Sequence, residues 1–121
     1  MTTSNTKRIA ELNDRFRRAT SSSDPAGLSL GRKLMTRGIR NLDLMTTIEI
    51  AEKVQAFDSF NADNDPGGEH NFGNFEHEGH KIFWKIDYYD RARVGTGAGS
   101  KDPSDPAQTL RILTIMLALE Y

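Results

Sequence analysis

A run of alternating side chains in the second half of the chain constrains its fold more than any other feature. Phe72 to His77 and His80 to Tyr88 are rich in aromatic and apolar residues and flank the pair Glu78-Gly79. Two such runs separated by two residues, one of them glycine, close into a β-hairpin, because glycine supplies the backbone angles a tight turn needs. Placing the turn fixes the register. His77 then faces His80, Glu76 faces Lys81, Phe75 faces Ile82, Asn74 faces Phe83, Gly73 faces Trp84 and Phe72 faces Lys85. Side chains alternate across a strand. Phe75, Ile82, Trp84, Ile86 and Tyr88 therefore share one face, assigned to the core, and Phe83, Lys85, Asp87 and Tyr89 share the other.

A hairpin alone is marginally stable and needs further strands or helices against its apolar face. Ile9, Leu12, Phe16 and Ala19 recur with helical spacing and predict a helix over about 5–19, with Ser4 or Thr6 as N-cap. Lys7, Arg8, Arg15, Arg17 and Arg18 fall mostly on its other faces. Ser21 to Gly27 breaks that helix. A short strand is expected near 32–37. Asp43 reads as the N-cap of a second helix over about 44–57, whose apolar stripe runs through Leu44, Thr47, Ile48, Ala51, Val54 and Phe57. Asp58 to Gly68 is a turn-rich loop, and Arg93 to Lys101 a flexible glycine-rich one. At the C-terminus Asp105-Pro106-Ala107-Gln108 imitates a helix start, while Leu110 to Leu117 is apolar almost all round. The expectation is one helical turn followed by a central strand.

The sum is a single α+β domain: residues 1–27 form an N-terminal helix and flexible linker, and 28–121 a core in which a small antiparallel sheet (hairpin 72–77/80–88, the C-terminal strand, the 32–37 strand) packs against the two helices. At 121 residues the chain is long enough for one core. It has no cysteine, which excludes disulfides, thiolate chemistry and Cys-ligated metals and fits a cytoplasmic setting. Met1 to Lys7 lacks an apolar stretch, so no signal peptide is expected. The longest apolar run, Ile112 to Leu119, is under half the ~20 residues of a membrane span.

Charge is uneven although the net value is only −1. Between residues 58 and 90 stand Asp58, Asp63, Asp65, Glu69, Glu76, Glu78, Asp87 and Asp90 against Lys81 and Lys85 alone. Segregated charge points to partners rather than fold. The expectation is that these carboxylates gather on one patch when the hairpin closes.

Three runs carry a resemblance. Asn64-Asp65-Pro66-Gly67-Gly68-Glu69-His70-Asn71-Phe72-Gly73, then Phe83-Trp84-Lys85-Ile86-Asp87-Tyr88-Tyr89-Asp90, then Asp102-Pro103-Ser104-Asp105-Pro106 with Arg111 to Ala118 and Glu120-Tyr121, are similar to the bacterial family catalogued as domain of unknown function 3768, from about Met35 onward. Family members often carry aspartate where this chain has Asn71. The family is uncharacterised and often sits among mobile-element genes. The resemblance therefore implies an anti-defence factor, of anti-CRISPR or anti-restriction type, or a regulator, rather than a housekeeping enzyme.

The chemistry leaves two readings. In the first, a non-enzymatic binding or inhibitor protein presents an acidic, aromatic-containing surface formed by Asp63, Asp65, Glu69, His70, Phe83, Lys85, Asp87, Tyr89 and Asp90. Its partner is a basic or nucleic-acid-handling protein, and no cofactor is expected. Phe83 and Tyr89 are its aromatic anchors. In the second, a metal-dependent hydrolase or nuclease uses the Glu69-His70 loop with Lys85 and Asp87, which share a strand face at i, i+2. Asp63, Asp65, Glu69, His70, His77 and His80 are its possible ligands. The 63–74 loop is not an EF-hand, because its twelfth position is Asn74 rather than glutamate. The glycines at 95, 97 and 99 lack the Lys-Ser/Thr of a phosphate loop. Direct nucleic-acid binding through Arg15, Arg17, Arg18, Arg32 and Lys33 is a weaker third reading, since Glu11 and Asp14 interrupt the basic cluster.

Overall fold

A computed structural model describes residues 2–121, with side chains from Asn5 onward. The elements are α1 (Thr2–Arg18), α2 (Pro25–Leu28), β1 (Gly31–Met35), α3 (Arg37–Arg40), α4 (Leu44–Ala56), β2 (Phe72–His77), β3 (His80–Asp90) and β4 (Thr109–Leu117), with 3-10 turns at Arg91–Arg93 and Ala118–Glu120. The four strands form one sheet in the order β1-β4-β3-β2. The α+β class expected from the sequence holds, and β4 is indeed central.

The hairpin has the expected register throughout, from Phe72 opposite Lys85 to His77 opposite His80. Glu78 and Gly79 both have positive φ, 50° and 83°, the backbone signature of a turn whose twist matches that of the strands it joins. The sheet itself is mixed rather than purely antiparallel. β3 and β4 run antiparallel, but β1 pairs with β4 in parallel, Gly31 opposite Arg111 through Met35 opposite Ile115. Strand direction depends on the path of the intervening chain, which no local pattern encodes.

Ile82, Trp84 and Ile86 of β3 and Leu113 and Ile115 of β4 meet Leu12 and Phe16 of α1 and Ile50 and Val54 of α4 in one core cluster. Both long helices thus cover the same sheet face, and Ile9, Leu12, Phe16 and Ala19 are all buried as their spacing requires. Trp84 lies at the centre, fully buried, with Phe57 edge-on at 5.5 Å and Phe60 edge-on at 6.1 Å. Its cross-strand partner Gly73 leaves room for the indole.

Several local expectations shift. Ser4 and Thr6 lie inside α1 rather than at its N-cap, and the Ser4 side chain lies outside the described residues. Asp43 does cap α4, accepting from the Thr46 N–H at 3.0 Å. That helix turns a partly different stripe inward, however: Val54 is buried and Phe57 packs on the core as expected, but Thr46 and Ile50 are buried while Leu44 and Ile48 are 73% and 42% exposed. α4 carries apolar residues on two faces, and the sheet selects the face bearing the β-branched pair Ile50 and Val54. Residues 105–108 form a turn without a helix, in which Asp105 accepts from Ala107 N–H. The 20–27 linker contains a turn and α2, whose N-cap Asp24 also pairs with Arg15 at 2.9 Å. Among the described residues no helix is long and apolar enough to cross a membrane.

A β-carbon on residue 73 would fall 2.5 Å from Trp84 Nε1, while one on residue 67 would meet nothing within 4 Å. Gly73→Ala should lower unfolding free energy by about 1–3 kcal/mol, the range of core overpacking. Gly67→Ala should leave it within about 0.5 kcal/mol of the wild type. Urea denaturation followed by tryptophan fluorescence measures both.

Candidate functional site

The sheet face away from the helices carries Phe72, Phe83, Lys85, Asp87 and Tyr89, as strand alternation from Trp84 requires. At its β2–β3 margin Phe72 and Phe83 meet edge to face at 5.4 Å, and Tyr121 packs on both at 5.8 and 5.4 Å. Tyr121 remains 72% exposed. Beside this trio lies a groove of about 490 Å³ lined by Asp63, Glu69, Phe72, Lys85, Asp87 and Tyr121 among others.

The loop that brings Asp63 and Glu69 to the groove is fixed at both ends. Asn61 Oδ1 accepts from the N–H groups of Asp63 (2.8 Å) and Asn64 (3.1 Å), and Asn64 Nδ2 donates to Ser59 O at 2.9 Å. Further on, His70 adopts a left-handed backbone (φ 57°) and stacks flat on Phe60 at 3.9 Å. Its Nδ1 lies 3.0 Å from both Asp14 carboxylate oxygens on α1. Glu69 is held by the Tyr88 hydroxyl, which donates to Oε1 at 2.7 Å, while buried Asn13 donates to Tyr88 Oη at 2.8 Å and to Glu69 O at 2.9 Å. Arg111 Nε completes the chain by donating to Asn13 Oδ1 at 2.7 Å.

The carboxylates expected on a single patch occupy separate places. Asp63, Glu69 and Asp87 share the groove with Lys85, which pairs with Asp87 at 3.0 Å, and Phe83 stands at its margin. Asp65 points inward, its side chain 5% exposed, and accepts from His70 N–H at 3.0 Å. Tyr89 lies at the far end of the face, in a hollow with Arg32, Val94, Gly95 and Gly97. Asp90 caps the 3-10 turn through Ala92 N–H at 2.9 Å. Glu78 sits at the hairpin turn against His77. The patch divides because the acids alternate across β3 and because three of them serve as local caps and ion-pair partners.

The same geometry bears on the other readings. His70 faces α1, its Nδ1 3.0 Å from both Asp14 carboxylate oxygens, whereas Glu69 lines the same groove as Lys85 and Asp87. Arg17, expected on an outer face of α1, is fully buried. It donates to Asp14 at 2.8 Å and to Gln55 O at 3.1 Å. Lys33 Nζ donates to Arg17 O and Ala19 O. With Arg15 paired to Asp24, three of the five residues named for nucleic-acid contact are thus engaged in internal bonds. Sequence reasoning missed Asn13 and Asp14 as supports of the site. The signal was there for Asn13, which stands four residues after Ile9 and three before Phe16 and so shares their buried face. Tyr121 had no comparable signal, because its contacts are remote in sequence.

A family model described as protein of unknown function (DUF3768) matches residues 35–120, well over half of the chain. This chain belongs to the DUF3768 family. The DUF3768 match includes α4, the hairpin, β4 and every groove-lining residue named above except Tyr121, and leaves out α1 with Asn13, Asp14 and Arg17. Neither the curated proteins nor the solved structures contain a match to the chain.

Burial and the adjacent Glu69 carboxylate push the Tyr88 hydroxyl well above the usual phenol range. A value raised in the folded state means that the contribution is complete below the unfolded value of about 10 and is lost as pH rises beyond it. Absorbance titration should reveal one tyrosine ionising only as the protein unfolds in alkali, and Tyr88→Phe should abolish that late step.

Proposed function

We propose that this DUF3768 protein is a non-enzymatic binding protein whose groove receives a basic segment of a protein partner. The observation that carries the reading is an aromatic trio, half-buried Phe72 and Phe83 with exposed Tyr121, set directly beside carboxylates. Aromatic anchors next to charge are typical of protein interfaces, where the ring supplies buried area and the charge supplies selectivity. Within the groove Lys85 is neutralised by Asp87; among the described residues Asp63 and Glu69 have no ion-pair partner, Glu69 accepting a hydrogen bond from the neutral Tyr88 hydroxyl. A lysine or arginine fits that arrangement; a phosphate backbone would be repelled by it.

A partner that handles nucleic acid is basic on its working surface, so an acidic groove is suited to occupy that surface. In this form the protein acts as an anti-defence factor of a mobile element, blocking a nucleic-acid-handling complex. The working compartment is then the cytoplasm. Tyr89, at the other end of the open face, belongs to the periphery of such an interface rather than its centre, and Asp90 alternates onto the opposite side of β3.

Affinity capture from the native host with wild-type bait should recover a basic partner, and recovery should fall as salt is raised. Asp63→Lys with Asp87→Lys, and separately Phe83→Ala, should each weaken the complex about tenfold or more, the equivalent of roughly 1.4 kcal/mol. Charge reversal at exposed Glu52 on α4 should leave it unchanged. Equal capture by the groove variants and the wild type would refute the assignment.

A further inference from the structure

At the hairpin turn, β2 ends beside the first half of α4, and three side chains converge there. His77 Nε2 lies 3.0 Å from Glu49 Oε1 and 2.9 Å from Glu78 Oε2. The three atoms all lie within 4.8 Å of one another. The imidazole is held firmly, with 10% of its side chain exposed, whereas Glu49 and Glu78 are 45% and 58% exposed. The cluster thus has a fixed nitrogen at its base and a mouth open to solvent.

A ring nitrogen carries at most one hydrogen, so two carboxylates compete for a single N–H. Two negative groups at this separation repel each other, and one hydrogen bond cannot compensate both. A divalent cation in the mouth would. The spacing suits one: zinc bonds of about 2.0–2.1 Å in tetrahedral geometry set neighbouring donor atoms about 3.3 Å apart, so the two His77–carboxylate separations of 3.0 and 2.9 Å need to open by only a few tenths of an ångström. One imidazole and two carboxylates form a donor set that Zn²⁺ accepts, with a coordination position left for water. Behind Glu78, Thr46 Oγ1 lies 3.4 Å from Oε2 and donates to Asp43 at 2.9 Å. A polar wall anchored to the α4 N-cap therefore backs that carboxylate.

We infer that Glu49, His77 and Glu78 form a site for a divalent transition-metal cation, Zn²⁺ foremost, which ties the hairpin turn to α4. The site is separate from the groove, and neither assignment depends on the other. Its ligands come from a helix and a turn that are distant in sequence, so cation binding would tie the two together.

Protein stripped with a chelator and titrated with Zn²⁺ alone should bind one equivalent by calorimetry, and its melting temperature should rise with Zn²⁺ concentration as linkage demands. Co²⁺ should give the visible absorption of a tetrahedral site. His77→Asn should weaken Zn²⁺ binding on the order of 100-fold. Glu49→Gln, at a half-exposed position, retains the fold and should weaken binding at least about tenfold, which preserves the test if His77→Asn does not fold. Absence of saturable Zn²⁺ binding by the wild type would overturn the inference, and so would equal affinity of Glu49→Gln and wild type.

Discussion

Two guanidinium groups are buried completely, and the rest of the molecule is arranged around their needs. Arg17 and Arg111 have no exposed surface, and burial pushes both below the usual arginine range. A buried charge costs several kcal/mol unless it is paired and hydrogen-bonded. Arg17 meets this demand with Asp14, with the carbonyls of Val54 and Gln55 at the C-terminal end of α4, and with the rings of Trp84 and Phe60 at 5.3 and 5.6 Å. Arg111 meets it only in part: it donates to Asn13 and Pro103 O and lies 5.4 Å from the centre of the Tyr88 ring, but it has no carboxylate at ion-pair distance among the described residues and its Nη1 has no hydrogen-bond partner. Together they fasten α1 to α4, to β4 and to the segment before β4.

The groove inherits its shape from these attachments. Asn13 answers Arg111 with one end of its amide and Tyr88 and Glu69 with the other, so the start of β2 is placed by a helix far away in the chain. Asp14 likewise serves Arg17 and His70 together. Asp63 and Glu69 are then delivered to the side of the sheet where Lys85, Asp87 and the aromatic trio already stand. Because the segment matched by the DUF3768 family begins at Met35, two of the side chains that organise its loop, Asn13 and Asp14, come from outside that segment.

The two faces of the sheet divide the labour. One is filled by α1 and α4 and holds Trp84. The other keeps aromatic rings and ion pairs partly in water, an arrangement antiparallel pairs tolerate well. The turn of the hairpin is a third region with its own chemistry, where the left-handed backbone at Glu78 sets a carboxylate beside His77 and opposite Glu49. Groove and turn share the β2–β3 pair as scaffold but no side chain.

Much of this was determined by the sequence alone. Alternation around Glu78-Gly79 dictates the hairpin, its register and the inward face of Trp84, since a strand's side chains have a period of two and a slip of one residue would expose the core. Helical spacing likewise dictates α1, and Asp43 the start of α4. Tertiary structure decided the remainder: the parallel β1–β4 pair, the face α4 turns inward, the burial of Arg17, the division of the acidic residues and the meeting of Glu49 with His77. Each of these depends on which distant elements come together, and on the requirement that a buried charge find partners wherever packing leaves it. Periodicity reports only the local path of the chain and carries no information on either.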